Sequence, residues 1–226
     1  METLFQKETL IWDKYSKILD NYPEKNLKLP ENSFCKTNFY KNCETLVGKF
    51  EKFAVSISGG VDSMLVSYFA SMYAIKTKKT LILIHIRYNN RASCEMEEQF
   101  LNDWARLIHC KLHVKNIVET RERNSKLRED YEKHTKEIRF NFYKSFSCPI
   151  LLGHNKDDCY ENIFANLSKQ IHFENLYGMR DSSIDHGVIL IRPFLSIPKK
   201  EIIFKARELN IPYLEDSTPA WSTRGR

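Results

Sequence analysis

Phe53-Ala54-Val55-Ser56-Ile57-Ser58-Gly59-Gly60-Val61-Asp62-Ser63-Met64-Leu65-Val66-Ser67-Tyr68-Phe69-Ala70-Ser71-Met72-Tyr73 is the stretch from which the fold is read. Phe53, Val55 and Ile57 alternate with smaller residues, as in a buried strand. The chain then turns at Ser58-Gly59-Gly60 and continues with Leu65, Val66, Phe69, Ala70 and Tyr73 at the spacing of one helix face. Paired glycines allow positive φ and close approach of the backbone to a ligand. The helix start that follows presents free N–H groups, and its dipole favours an anion there. Ser58 and Ser63 add hydroxyls, and Asp62 adds a carboxylate suited to a metal ion beside phosphate. The segment reads as a phosphate cradle, but not as a Walker loop, because no Gly-Lys-Ser/Thr follows at the required spacing.

Working outward, strand and helix patterns alternate five times. The expected strands are Phe53–Ile57, Thr80–Arg87, Lys111–Val118, Cys148–Gly153 and Gly187–Pro193. Helices are expected over Ser93–His109, the charged segment Thr120–Phe146, Asp157–Gln170 and Lys199–Leu209. This alternation predicts an α/β fold, a doubly wound, Rossmann-like sheet of five parallel strands with right-handed crossovers. Ligands on such sheets bind at the carboxyl ends of strands where the strand order reverses. With the order 3-2-1-4-5, Ser58–Ser63 after the first strand would face Gly153-His154-Asn155-Lys156-Asp157-Asp158 after the fourth.

Residues 1–50 form an expected helical extension, with one helix over Thr9–Leu19, a Pro-containing loop, and a short helix over Asn38–Phe50; residues 51–226 form the main domain. A chain of 226 residues, 42% hydrophobic, has room for one core and a small appendage. No apolar run approaches membrane-spanning length, and Met1–Leu10 lacks the pattern of a secretory signal. Six scattered cysteines without a Cys-x-x-Cys pair suggest reduced thiols and a cytoplasmic location. The formal charge of +6 is compatible with an RNA partner, as it is with many Lys-rich proteins.

In the second informative block, His154, Asp157, Asp158 and Glu161 gather at a strand-to-helix junction. Two readings of the paired aspartates stay open: helix N-capping, and Mg²⁺ binding opposite the glycine loop, with one Asp able to do both. His154 has no His or Cys neighbour at ligand spacing and is not read as a metal ligand.

The hexamer Ser58-Gly59-Gly60-Val61-Asp62-Ser63 resembles the SGGxDS loop of the PP-loop ATP pyrophosphatases. Within that class the chain resembles the N-terminal catalytic domain of the tRNA(Ile)-lysidine synthase family. The resemblance is carried by Gly153–Asn162, by His85 and Arg91 in the pattern into which the second strand continues, by Arg139-Phe140, Gly178-Met179 and Arg192-Pro193-Phe194-Leu195, and by Glu215-Asp216-Ser217-Thr218. It covers about residues 50–226 and ends before the family's C-terminal tRNA-binding domains.

The resemblance implies an ATP- and Mg²⁺-dependent ligase that forms a C–N bond. ATP would lie on Ser58, Gly59, Gly60, Val61, Asp62 and Ser63, with His85 and Arg91 as further nucleotide contacts. Asp62 and Asp158 would hold the metal. Arg139 would supply the cation near the α-phosphate, and His154 would position the nucleotide or the reacting base; the alternative for Arg139 is a solvated or salt-bridged helix position. The implied partners are tRNA(Ile) with a CAU anticodon and free lysine. Other readings are a further PP-loop activity such as tRNA thiolation, or a nucleotide-binding protein without tRNA modification.

Overall fold

The computed structural model describes residues 38–88, 94–117, 125–168 and 178–214. In chain order the elements are α1 (Asn38–Val47), β1 (Lys52–Ser56), α2 (Val61–Thr77), β2 (Thr80–Arg87), α3 (Cys94–Leu107), β3 (Lys111–Asn116), α4 (Ser125–Lys144), β4 (Ile150–Leu151), α5 (Lys156–Ser168), β5 (Ser182–Asp185), β6 (Val188–Ile191) and α6 (Lys199–Glu208). The expected helix over Thr9–Leu19 and the Glu215–Thr218 motif lie outside the described residues, as does Arg91.

The six strands form one sheet in the order β3-β2-β1-β4-β6-β5. β1 pairs in parallel with β2 on one side and with β4 on the other, so the order reverses between β1 and β4 as expected. The expected fifth strand is β6, parallel to β4. The sixth strand, β5, was not expected: it runs antiparallel to β6 across the turn at His186-Gly187, where both residues have positive φ. Its sequence Ser182-Ser183-Ile184-Asp185 is short and polar, and Ile184 stays exposed, so it carries little of the apolar alternation by which strands are recognised.

Alternate residues of β1 feed two cores. Phe53 and Val55 join Leu81, Leu83, Phe69, Tyr73 and Trp104 on one face, where α1, α2, α3 and α6 pack. Ala54 joins Ile84, Ile86, Phe140, Tyr143 and Leu190 on the other, under α4. α1 belongs to the first of these cores: Phe39 stacks on Phe69 at 5.2 Å and meets Phe194 edge-on at 5.3 Å.

Helix α2 is buried on nearly every side rather than on one face, with Ser63, Ser67 and Ser71 enclosed along with its apolar residues. Buried hydroxyls need partners. Ser67 and Ser71 each donate to the carbonyl three residues back at 2.7 Å, and the Trp104 indole N–H donates to Ser67 Oγ at 2.8 Å. These bonds let a serine-containing helix run through the centre of the fold.

Candidate active site

The loop between β1 and α2 is held by its own side chains. Ser63 Oγ donates to the Gly60 carbonyl at 3.0 Å and accepts the Ser58 backbone N–H at 3.1 Å. Ser58 Oγ lies 3.2 Å from Ser63 Oγ and accepts from Gly60 N–H at 3.4 Å. Gly60, the N-cap of α2, supplies no capping side chain, so the N–H groups of the first turn are left for an anion. Gly59 has φ +87°, a conformation L side chains rarely adopt. Its carbonyl accepts the Leu214 N–H at 2.9 Å, and a Cβ here would lie 2.8 Å from Leu214 Cδ1. The segment after α6 therefore closes over the loop from outside.

The end of β4 abuts the same loop. A Cβ added to Gly153 would lie 3.0 Å from Ser63 N and 3.1 Å from Asp62 Cβ. The glycine loop and the Gly153–Asp158 block thus face one another across the reversal between β1 and β4, as the sequence predicts.

Asn155 ties them together, and sequence reasoning missed it. It is 1% exposed, and its Nδ2 donates to Asp62 Oδ1 at 3.1 Å. Its Oδ1 accepts the N–H groups of Asp157 (2.8 Å) and Asp158 (3.2 Å), capping α5, while its own N–H donates to Asp158 Oδ2 at 2.9 Å. This reciprocal arrangement is a capping box with Asn as cap and Asp three residues on. Asp157 turns away and accepts the backbone N–H of Lys199 at 3.0 Å, capping α6. The two adjacent aspartates thus cap different helices, so the capping reading holds for both. Asp158 keeps Oδ1 outside these capping bonds and lines a cavity with Asp62, so it fits the metal reading as well. Lys199, also missed, places its ammonium against Asp62 Oδ2.

Two cavities meet at Ser58 and Asp62. The first, about 600 Å³, is bounded by Ser58, Gly60, Val61 and Asp62 on the loop, by His85, Ile86 and Arg87 of β2 and Tyr88 just past it, and by Lys199 and Leu214. The second, about 520 Å³, is bounded by Ser63, Arg139, His154, Asp158, Asp185 and Arg192, again with Ser58 and Asp62. Every described residue expected at the site other than Gly59 lines one cavity or both, and Gly59 forms the turn beneath them.

The two histidines are both neutral groups held in one tautomer. Burial lowers the His85 pKa, and its Nδ1 donates to the Ile57 carbonyl at 2.9 Å, leaving Nε2 as an acceptor. Burial and then the Arg192 guanidinium lower the His154 pKa. Arg192 Nε donates to His154 Nδ1 at 3.2 Å, so the remaining proton sits on Nε2. Arg192 is itself fixed by the Arg180 carbonyl and Ser183 Oγ, a partner on the unexpected strand β5. Arg139 lies over the Phe140 ring and donates to the Tyr88 hydroxyl at 3.5 Å.

Asp62, Asp158, Ser58 and Ser63 offer only oxygen donors, the set that suits Mg²⁺. Among the described residues no cluster of three or more His, Cys, Asp or Glu forms a metal cage. One or two carboxylates completed by substrate phosphates is the arrangement Mg²⁺ usually takes, so the donor set fits the ion.

A family model described as a PP-loop domain matches residues 33–224. Three tRNA(Ile)-lysidine synthases are similar in sequence. That of Mesoplasma florum is 29% identical over 74% of this chain and 41% of its own length. That of Rickettsia akari is 28% identical over 80% and 42%, and that of Malacoplasma penetrans 28% identical over 77% and 59%. The chain thus spans 41% to 59% of the length of these relatives. Among solved structures, a U34-tRNA thiolase from Methanococcus maripaludis with its 4Fe-4S cluster gives a TM-score of 0.65 at 18% identity, covering 83% of this chain and 67% of that one. A phosphoadenylyl-sulfate reductase from Candida auris gives 0.54 at 14%, covering 82% and 90%. At these identities the likeness is one of fold.

Proposed function

The chain belongs to the PP-loop domain family, and from that premise we propose that it activates the wobble cytidine of a tRNA with ATP and joins lysine to it, as a tRNA(Ile)-lysidine synthase does. The observation that carries this reading is the junction at Asp62. There the glycine loop, the Gly153–Asp158 block and two cavities of about 600 and 520 Å³ share one carboxylate.

Ser58, Ser63 and the open N–H groups at the start of α2 would bind the β,γ-pyrophosphate of ATP. The first cavity takes the nucleoside, where His85 Nε2 and the β2 end at Arg87-Tyr88 offer polar contacts. Asp62 with Asp158 would hold Mg²⁺, which neutralises phosphate charge when bound. The cytidine enters by the second cavity, and its O2 attacks the α-phosphorus with loss of pyrophosphate. Arg139 and the Arg192–His154 pair face charge that develops there, and His154 donates from Nε2. The lysine amine then forms a bond to C2, the C2–O bond breaks, AMP leaves with the electron pair, and the amine gives its proton to solvent. The work of the chain is to orient the reactants and to hold fixed charges, which suits a site built from capped helix ends.

The test is incubation with ATP, Mg²⁺, lysine and a CAU-anticodon tRNA(Ile) transcript, followed by nucleoside mass spectrometry. The expected products are AMP, pyrophosphate and a cytidine heavier by lysine minus water. Formation of ADP and orthophosphate would overturn the reading.

A further inference from the structure

We infer that Lys199 is an internal cation that keeps divalent metal off Asp62 while nucleotide is absent, and that Asp157 is the residue that positions it. The inference rests on the assignment of Asp62 as a metal ligand in the proposed function.

Lysine at the first position of a helix is poorly suited to the helix dipole, which favours negative charge there. α6 nonetheless begins with Lys199, and its N-cap, Pro198, has no side chain that can accept a hydrogen bond. The missing cap comes from α5, where Asp157 Oδ2 accepts the Lys199 N–H at 3.0 Å. Two more links lock the same junction: Lys156 N–H donates to the Ile197 carbonyl at 3.0 Å, and Asn155 makes a parallel bridge with Phe194. The Lys199 backbone is thereby fixed beside the loop, and its ammonium pairs with Asp62 Oδ2 while Asn155 Nδ2 takes Oδ1.

Both oxygens of the proposed ligand are thus engaged, one by a positive charge. A divalent ion arriving alone would have to displace an ammonium or sit next to it, and like charges at contact distance repel strongly in a partly buried site. Nucleotide brings its own negative charge, which compensates both cations at once. The arrangement therefore predicts that metal binds with nucleotide and not before it. Asp157 lines neither cavity, which separates its role from that of Asp158.

The experiment is a Mn²⁺ titration of the full chain, with free Mn²⁺ read by electron paramagnetic resonance, without nucleotide and with α,β-methylene-ATP. Without nucleotide, Lys199→Gln or Lys199→Met is expected to bind Mn²⁺ at least about tenfold more tightly than wild type, the scale of one ionic contact removed. Asp157→Ala should shift affinity in the same direction and Asp157→Asn, which can still accept the N–H, should restore it; a purely structural cap would alter melting but not metal affinity. Adding Asp62→Asn to Lys199→Gln should erase the gain. Nucleotide-free Mn²⁺ affinity within about twofold of wild type in a folded Lys199 variant, with Asp62-dependent binding in the presence of the analogue, overturns this inference alone. Analogue-dependent Mn²⁺ binding that survives Asp62→Asn overturns the metal assignment and this inference with it.

Discussion

Gly153 and Ser63 approach so closely that a methyl group on Gly153 would lie 3.0 Å from the Ser63 backbone nitrogen. The contact joins the end of β4 to the first turn of α2, and both neighbours are backbone or near-backbone atoms that cannot swing aside. Gly153→Ala is therefore expected to push the end of β4 away from the first turn of α2, costing about 1–3 kcal/mol of stability and weakening nucleotide binding together. Urea unfolding and a fluorescent-ATP titration on the same variant check both effects.

Gly60→Ala separates those effects. Gly60 has φ −70° and ψ 155°, which any residue adopts, and its added Cβ would meet nothing closer than Ser58 Oγ at 3.6 Å. The variant should fold with stability within about 0.5 kcal/mol of wild type, as for other unstrained open positions. Its methyl would occupy the floor of the first cavity, so ATP affinity should fall by at least about tenfold. Unchanged ATP affinity would show that the loop does not approach phosphate.

Asp62→Asn should abolish AMP formation while changing stability by no more than about 1 kcal/mol, since the ion pair it breaks with Lys199 is partly exposed on both sides. AMP release from labelled ATP and thermal melting are the measurements. Near wild-type turnover would remove Asp62 from the metal site.

The legible and illegible parts of this fold divide along a physical line. The Ser58–Ser63 loop, the strand order and the facing of two loops could be read because glycine pairs and apolar runs are local signals. Asn155 and Lys199 could not, because their common partner Asp62 lies 93 and 137 residues away and nothing local marks either as a donor to it. The all-round burial of α2 was hidden by its serines, whose hydroxyls are satisfied within the helix and by Trp104. The adjacent Asp157 and Asp158 read alike in sequence; only the meeting of α5 with α6 assigns them different helices.

Acid should destabilise the fold through its histidines. Burial lowers the pKa of His85 and His154 below the ordinary value of 6.5, and His113, more open, shifts the same way. Unfolded imidazoles take up protons as pH falls through about 6.5 while the folded ones resist, so the unfolded state binds more protons in that window. Stability is therefore full above 6.5 and is lost progressively as pH falls toward the folded values. Urea midpoints between pH 7.5 and 5 should decline by an amount that shrinks in His154→Gln. A flat profile in the unaltered chain would overturn the account for all three histidines, and a His154→Gln profile that declines as much as the unaltered one would remove His154 from it.

The cysteines give the test that separates lysine transfer from sulfur transfer. A sulfur carrier needs an accessible thiolate, or closely spaced cysteines around a cluster. Cys43 is fully buried and its pKa is driven upward by burial; Cys110 is pushed up to about 12 and Cys148 is raised, both by burial. All three are thereby held as inert thiols near neutral pH. Cys159, one residue past Asp158, lies under Gly178, where an added Cβ would come within 2.8 Å of its sulfur, and it lines neither cavity at Asp62. Cys94 does line the first cavity, at the start of α3, so it joins Cys159 as a position to watch. Cys35 lies outside the described residues. A variant with Ala at Cys43 and Ser or Ala at the other five, if folded by circular dichroism, should form AMP at a rate within about threefold of wild type and still yield the lysine-bearing nucleoside. Loss of product on changing Cys94 or Cys159 alone, with ATP binding intact, would move the assignment to thiolation.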